Sequence, residues 1–257
     1  MQPWQAIILG AIQGFAEFLP ISSSGHLMLL QYWFGIEEAF FYSVMLHLGT
    51  LIPAIIVLWK EVIALFKKPF NNMLYLVIAT VPAGILGIIF SLLFDIDALF
   101  QEHIYLLAIT FLITAVELVF AEYRAKKVEM INPINAKTAF IMGCGQAVGV
   151  LPGISRSGST LSAGIIGKVN RDSNASFTFL MSIPIIIAAV LMEGLDIIQA
   201  GTIGDINVLS LMLGIITAAI CGYIAVKFML KIIKKANYKW FSLYLVLLSV
   251  TTLITAL

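Results

Sequence analysis

The sequence predicts an all-α polytopic membrane protein: six transmembrane helices plus two re-entrant helix-loop-helix pairs, arranged as an inverted-topology repeat. Three observations carry this. Of 257 residues, 61% are hydrophobic and only 11% charged, with a mean hydropathy of +1.02, whereas globular domains hold about 25% charged residues. Six segments, at 39–58, 73–94, 104–120, 176–192, 208–226 and 240–257, reach or approach the ~20 apolar residues of a spanning helix. Two further apolar regions, 4–34 and 139–166, are interrupted by polar motifs at 20–26 and 152–160. The halves on either side are too short to cross a bilayer, so each region is expected to enter and leave on one side.

In chain order, the first broken region comes first. MQPWQAIILG lacks the basic n-region of a cleavable signal, so mature protein is expected from Trp4 onward. Pro20 ends the first half-helix, and the serines of SSSGHLMLLQYWF stand where they can cap the second. Three spans follow, then a charged stretch, EYRAKKVEMINPINAK. The second broken region stops at Pro152-Gly153, resumes in SRSGSTLSAGII and is again followed by three spans. At an offset of 133, Gly10 meets Gly143, Gln13 meets Gln146, and Ile21-Ser22-x-Ser24-Gly25 meets Ile154-Ser155-x-Ser157-Gly158. The chain therefore divides into a first repeat at 1–120, a linker at 121–137 and a second repeat at 138–257. Cys144 and Cys221 lie in apolar surroundings and read as packing residues rather than a disulfide or metal pair.

Loop charge sets the expected sidedness. Residues 60–68, 122–137, 168–171 and 227–239 carry nearly all the lysine and arginine, while Glu37, Glu38, Asp95 to Glu102, and Glu193, Asp196 and Asp205 mark loops without any. Basic loops stay cytoplasmic. The threading closes only if the first broken region opens externally and the second from the cytoplasm, which puts both termini outside. Broken helices of opposed entry are an inverted repeat. A net charge of +1 argues against nucleic acid as a partner.

The polar motifs point to anion chemistry. A half-helix N-terminus carries unpaired N–H groups and the positive end of a dipole. Two such ends meeting inside the bilayer suit an anion, most naturally phosphate, and Arg156 adds a fork matched to phosphate oxygens. An intramembrane arginine costs ~2.5–3.5 kcal/mol on insertion scales, so it needs a reason, as does Glu17. One reading is that Glu17 and Arg156 simply pair and lock the fold. That reading leaves His26 unexplained, which lies within a helical turn of Ser22 and Ser23. Gln13 and Glu17 share one side of the first half-helix. The Glu17 carboxylate can orient a histidine, accept a proton or hold a hard divalent cation. His47 either borders this site or fills a structural role, and Glu117 is expected to reach the interface. The KIIKK run reads as an anchor for lipid head groups.

QGFAEFLPISSSGH (13–26) together with LPGISRSGST (151–160) resembles the undecaprenyl pyrophosphate phosphatase family, of the BacA or UppP type. The likeness extends over nearly the whole chain. It implies hydrolysis of a polyprenyl diphosphate lipid to the monophosphate carrier used in wall and surface-glycan synthesis, in the cytoplasmic membrane, with the site opening externally. Carried over residue by residue, the resemblance implies catalytic roles for Glu17, Ser22, Ser23, His26 and Arg156. Substrate contacts are expected from Gln13, Ser24, Gly25, Ser155, Ser157, Gly158 and Thr160. Mg²⁺ or Ca²⁺ is the implied cofactor, with Glu17 as its ligand, and a homodimer is a candidate assembly. The family often has a second acid where this chain has Gln13, which is therefore assigned to hydrogen bonding. Serine attack with His26 as base, histidine attack and water activation all stay open.

Rivals come from within the enzyme class and from outside it. A type-2 phosphatidic acid phosphatase would need a histidine six residues after the arginine, where Ser162 stands. A lipid flippase or transporter shares the inverted-repeat architecture, alone or in addition to hydrolysis. A purely structural subunit would not need the paired polar motifs.

Overall fold

A computed structural model describes residues 1–36, 40–200, 207–235 and 237–256, with the side chains of 40, 193–194, 196–200 and 234–235 left aside. The helices are α1 (Pro3–Phe18), α2 (Ser23–Phe34), α3 (Phe40–Val57), α4 (Trp59–Leu65), α5 (Asn71–Leu93), α6 (Ile96–Glu102) and α7 (Leu106–Lys127), followed by α8 (Ala136–Val148), α9 (Arg156–Ile166), α10 (Arg171–Leu180), α11 (Ser182–Ala200), α12 (Val208–Lys235) and α13 (Lys239–Ala256). Among the described residues no strand forms beyond a single bridge, Asn132 to Val169. The expected loop acids Glu37, Glu38 and Asp205 lie outside the described residues.

Among the described residues, five segments are long and apolar enough to cross a membrane: Asn71–Leu93, Leu106–Lys127, Arg171–Met192, Val208–Ile233 and Lys239–Ala256. The predicted segment at 39–58 appears as Phe41–Val57, followed across a bend of 84° by Trp59–Leu65. The chain is thus a multi-pass helical membrane protein. Helix ends run beyond the apolar runs for local reasons. α7 continues past Phe120 because Ala121 and Ala125 are buried, Glu122 pairs with Lys126 one turn on, and three basic residues face the negative helix end. Asn170 starts α10 five residues ahead of the predicted span by accepting from the Asp172 and Ser173 amides. α12 extends through Ala225, Val226, Met229 and Ile233, buried at helical spacing. The short helices α4 and α6, unforeseen in the sequence, turn across loops; the Asp95 side chain caps α6 through the Ala98 amide at 2.9 Å.

The two broken helix pairs form where expected. Before Pro20, Leu19 is extended, as the residue ahead of proline must be, and α2 restarts at Ser22. Between α8 and α9, Gly153 holds a φ of +83°, and a Cβ there would fall 1.9 Å from Thr110 Oγ1, so only glycine fits.

Contacts place the ends of these pairs. Met1 accepts from Ser210 at the start of α12, and Trp33 donates to Thr255 at the end of α13, so α1 begins and α2 finishes at one end of the molecule. Their break lies at the level of Gly222, midway along α12, which approaches Phe18. Asn132 bridges to Gly167 and Lys168, which brings the start of α8 and the finish of α9 together. Glu122 accepts from the Tyr238 and Lys239 amides, and Arg171 donates to Ala125. The basic stretches at 122–132, 167–171 and 238–239 thereby gather at the end opposite the termini.

Packing repeats between the halves. α1 lies along α12, where a Cβ on Gly10 would come 2.3 Å from the Gly214 carbonyl oxygen. α8 lies along α5, where a Cβ on Gly143 would come 2.6 Å from the Ala79 carbonyl oxygen. Each short helix thus docks, through matched glycines, on a long helix of the other half.

Candidate active site

The two breaks meet. Ser157 Oγ donates to the Leu19 carbonyl at 3.1 Å. A Cβ on Gly25 would come 2.7 Å from Gly153 Cα, and one on Gly158 would come 3.4 Å from Pro20 Cβ. Each second half-helix is capped alike: Ser22 Oγ accepts from the Gly25 amide at 3.3 Å, and Ser155 Oγ from the Gly158 amide at 3.1 Å. The caps take the third amide of each helix and leave the first two outside the intrahelical ladder. Thr114 Oγ1 joins the assembly from α7, donating to the Gly153 carbonyl and accepting from the Ser155 amide.

Glu17 is the hub. Its Oε1 accepts from Arg156 Nη2 across the junction. Its Oε2 accepts from Ser23 Oγ at 2.7 Å and Gln13 Nε2 at 3.0 Å, and His47 Nε2 stands 3.5 Å away. Glu17 is 4% exposed, so the carboxylate is held almost wholly by protein groups, as a buried charge requires. Pairing of Glu17 with Arg156, the bland reading from sequence, is therefore present. It does not account for the whole cluster, because Arg156 Nη1 is buried without a protein partner among the described residues. One arm of the guanidinium is committed and the other is unsatisfied, which suits an incoming oxyanion.

His26 lies at the edge of this cluster. Its Nδ1 meets the Ser22 carbonyl at 2.7 Å and its Nε2 meets the Tyr244 hydroxyl at 2.7 Å. A carbonyl only accepts, so Nδ1 carries the proton and Nε2 is the basic nitrogen of the neutral ring. The ring lies parallel to Tyr244, with an interplanar angle of 9°, and takes Phe111 edge-on. Both histidine nitrogens are taken by groups other than Glu17, so the carboxylate does not orient this ring.

Other candidates serve their own helices. Thr160 Oγ1 donates to the Arg156 carbonyl at 2.8 Å, inside α9. Ser24 and Ser157 stand 3.4 and 3.3 Å from the capping serines Ser22 and Ser155. Glu117 does not reach the interface; it accepts from Ser159 Oγ at 2.8 Å, because α9 packs on α7 there. Both cysteines are free thiols. The sequence could not find Tyr244, which lies far from both motifs in a span where nothing sets it apart from the other scattered hydroxyls, and it left His47 undecided.

A multi-pass membrane protein in which two broken helices bring a buried acid, an arginine and capping serines together is the class these features define. The family model described as bacitracin resistance protein BacA matches residues 6–251, and the chain belongs to that family. It is 39% identical to an undecaprenyl-diphosphatase of Carboxydothermus hydrogenoformans, over 99% of this chain and 97% of the relative. Identity is 38% to an undecaprenyl-diphosphatase of Bacteroides fragilis, over 100% and 99%. It is 40% to undecaprenyl-diphosphatase 4 of Bacillus cereus, over 93% and 92%.

Proposed function

We propose that the chain is an integral-membrane phosphatase that hydrolyses undecaprenyl diphosphate to the monophosphate and inorganic phosphate, recycling the carrier lipid. The observation that carries this is the half-satisfied Arg156 guanidinium, set against Glu17 and Ser23 where two half-helix N-termini converge. Full-length relatives named undecaprenyl-diphosphatase support the same activity, and none of the names favours transport alone.

In the proposed mechanism Arg156 and the free half-helix amides bind the diphosphate oxygens and neutralise charge on the transferred phosphoryl group. Ser23 Oγ attacks the terminal phosphorus and passes its proton to Glu17 as the bond to the bridging oxygen breaks, releasing the lipid monophosphate. His26, through Nε2, then takes a proton from the water that attacks the phosphoserine phosphorus. Glu17 returns its proton to Ser23 Oγ as the O–P bond breaks, and His26 gives its proton to the departing phosphate or to solvent. As for Mg²⁺ or Ca²⁺, no group of three His, Cys, Asp or Glu side chains that could hold a metal ion occurs among the described residues. Glu17 alone, with diphosphate oxygens, suits a cation that keeps its waters and arrives on the substrate, where it would offset phosphate charge.

The reading includes architecture. Two re-entrant pairs entering from opposite faces, six spans and an inverted repeat are supported by the paired ends of α1–α2 and of α8–α9 and by the matched glycine contacts. The basic end is assigned to the cytoplasm, which puts both termini and the α1–α2 opening outside.

The test is phosphate release from undecaprenyl diphosphate by purified protein in detergent, where no gradient exists. Release is expected, falling at least ~100-fold in His26→Ala, the usual span of a lost general base. No release by the intact protein would reject hydrolysis and favour transport. Protein quenched in denaturing detergent at neutral pH, which preserves both phosphoserine and phosphohistidine, should carry phosphate on Ser23; label on His26 would reverse the two roles, and none on either would point to direct attack by water.

A further inference from the structure

We propose that Tyr244, on the last span, is a positioning residue for His26: its hydroxyl donates to Nε2 and fixes the orientation of the imidazole beside the site. The inference rests on the phosphatase reading above and deepens it.

Two facing groups fix the ring's proton. Nδ1 lies 2.7 Å from the Ser22 carbonyl, which cannot donate, so the neutral imidazole has its lone pair on Nε2. The Tyr244 hydroxyl, 2.7 Å from Nε2, is therefore the donor in this contact. The phenol ring lies parallel to the imidazole with centroids 5.6 Å apart, while Phe111 closes the other approach at 5.5 Å. The Ser22 carbonyl thus fixes the tautomer, and Tyr244 fixes the tilt of the ring and the direction of Nε2.

The hydroxyl also occupies the lone pair that catalysis needs. Nε2 can accept a proton from water only when Tyr244 gives way. The phenol keeps the base oriented in the resting site and yields it when the head group and its water enter. The helix carrying Tyr244 is itself located at both ends, by Glu122 at the Tyr238 and Lys239 amides and by Trp33 at Thr255. A phenol on so constrained a helix can position a ring in another half of the chain.

Tyr244→Phe keeps the stacked ring and removes only the donor. Two readouts on the full chain in detergent test the proposal. In diethyl pyrocarbonate labelling mapped by mass spectrometry, with His103 as internal standard, His26 should react about fivefold faster in Tyr244→Phe, as expected for losing one hydrogen bond. In turnover, kcat should fall about tenfold with KM within twofold, since the substrate contacts remain. Tyr244→Ala, which also removes the ring, should lower kcat further. Unchanged His26 labelling, or unchanged kcat, in Tyr244→Phe would overturn the proposal. Absence of phosphate release by the unsubstituted protein would instead overturn the phosphatase reading itself.

Discussion

Glu17 shows how a carboxylate can be retained within an apolar chain. Four neighbours from four helices approach its two oxygens, and removing any of them leaves charge or hydrogen-bonding capacity stranded. Glu17→Ala should therefore destabilise the protein by about 3 kcal/mol in chemical unfolding, since Arg156 is left buried without its partner. Arg156→Ala should cost clearly less in that background than alone, and equal costs would show the two to be uncoupled. Arg156→Lys retains the charge but loses the planar fork, so kcat/KM should drop by ~100-fold with little change in melting. Most of this cluster was legible, because the serines, the acid and the arginine sit in two short motifs whose polarity is conspicuous against lipid. His47 and Tyr244 were not. Each lies outside both motifs in a largely apolar helix with scattered hydroxyls, and only the three-dimensional crossing of α3 and α13 with the motifs shows what it faces.

The helices reveal where sequence reading stops. Hydropathy located the long spans, because burial in lipid demands a run of fixed length. It did not locate α4 and α6, which are too short for that constraint and follow from local turns. It also placed some ends several residues off, as at α7 and α10, where caps and charge pairs rather than apolar content decide the terminus. Glycine contacts let helix packing be tested directly. Gly10→Leu and Gly143→Leu should each lower stability by more than ~2 kcal/mol, because a backbone carbonyl stands where the side chain would go. Gly84→Ala, on a face of α5 with nothing within 4 Å of an added Cβ, should be neutral or stabilising by about 0.5–1 kcal/mol from helix propensity alone. Equal effects at the three positions would argue against the described helix pairing.

The molecule as a whole buries a polar cluster within a largely apolar interior and presents large apolar side chains around its outside, which a soluble enzyme avoids. Sidedness can be read chemically: with Cys144 and Cys221 replaced by serine, a cysteine at Asp97 should react with an impermeant maleimide from outside intact cells. One at Glu129 should react only after permeabilisation, and the opposite pattern would invert the orientation assigned here. The exchange of partners between the halves has a further consequence. α1 finds its main groove on α12 and α8 finds its main groove on α5, so each short helix leans on the opposite half as well as on α3 or α9 of its own. Residues 1–120 made alone would expose a glycine-lined ridge with nothing to receive it, and only a complementary fragment could rescue them. Severing the linker while supplying both fragments should be tolerated far better than omitting either, as two hands clasped can be cut at the sleeve but not parted at the fingers.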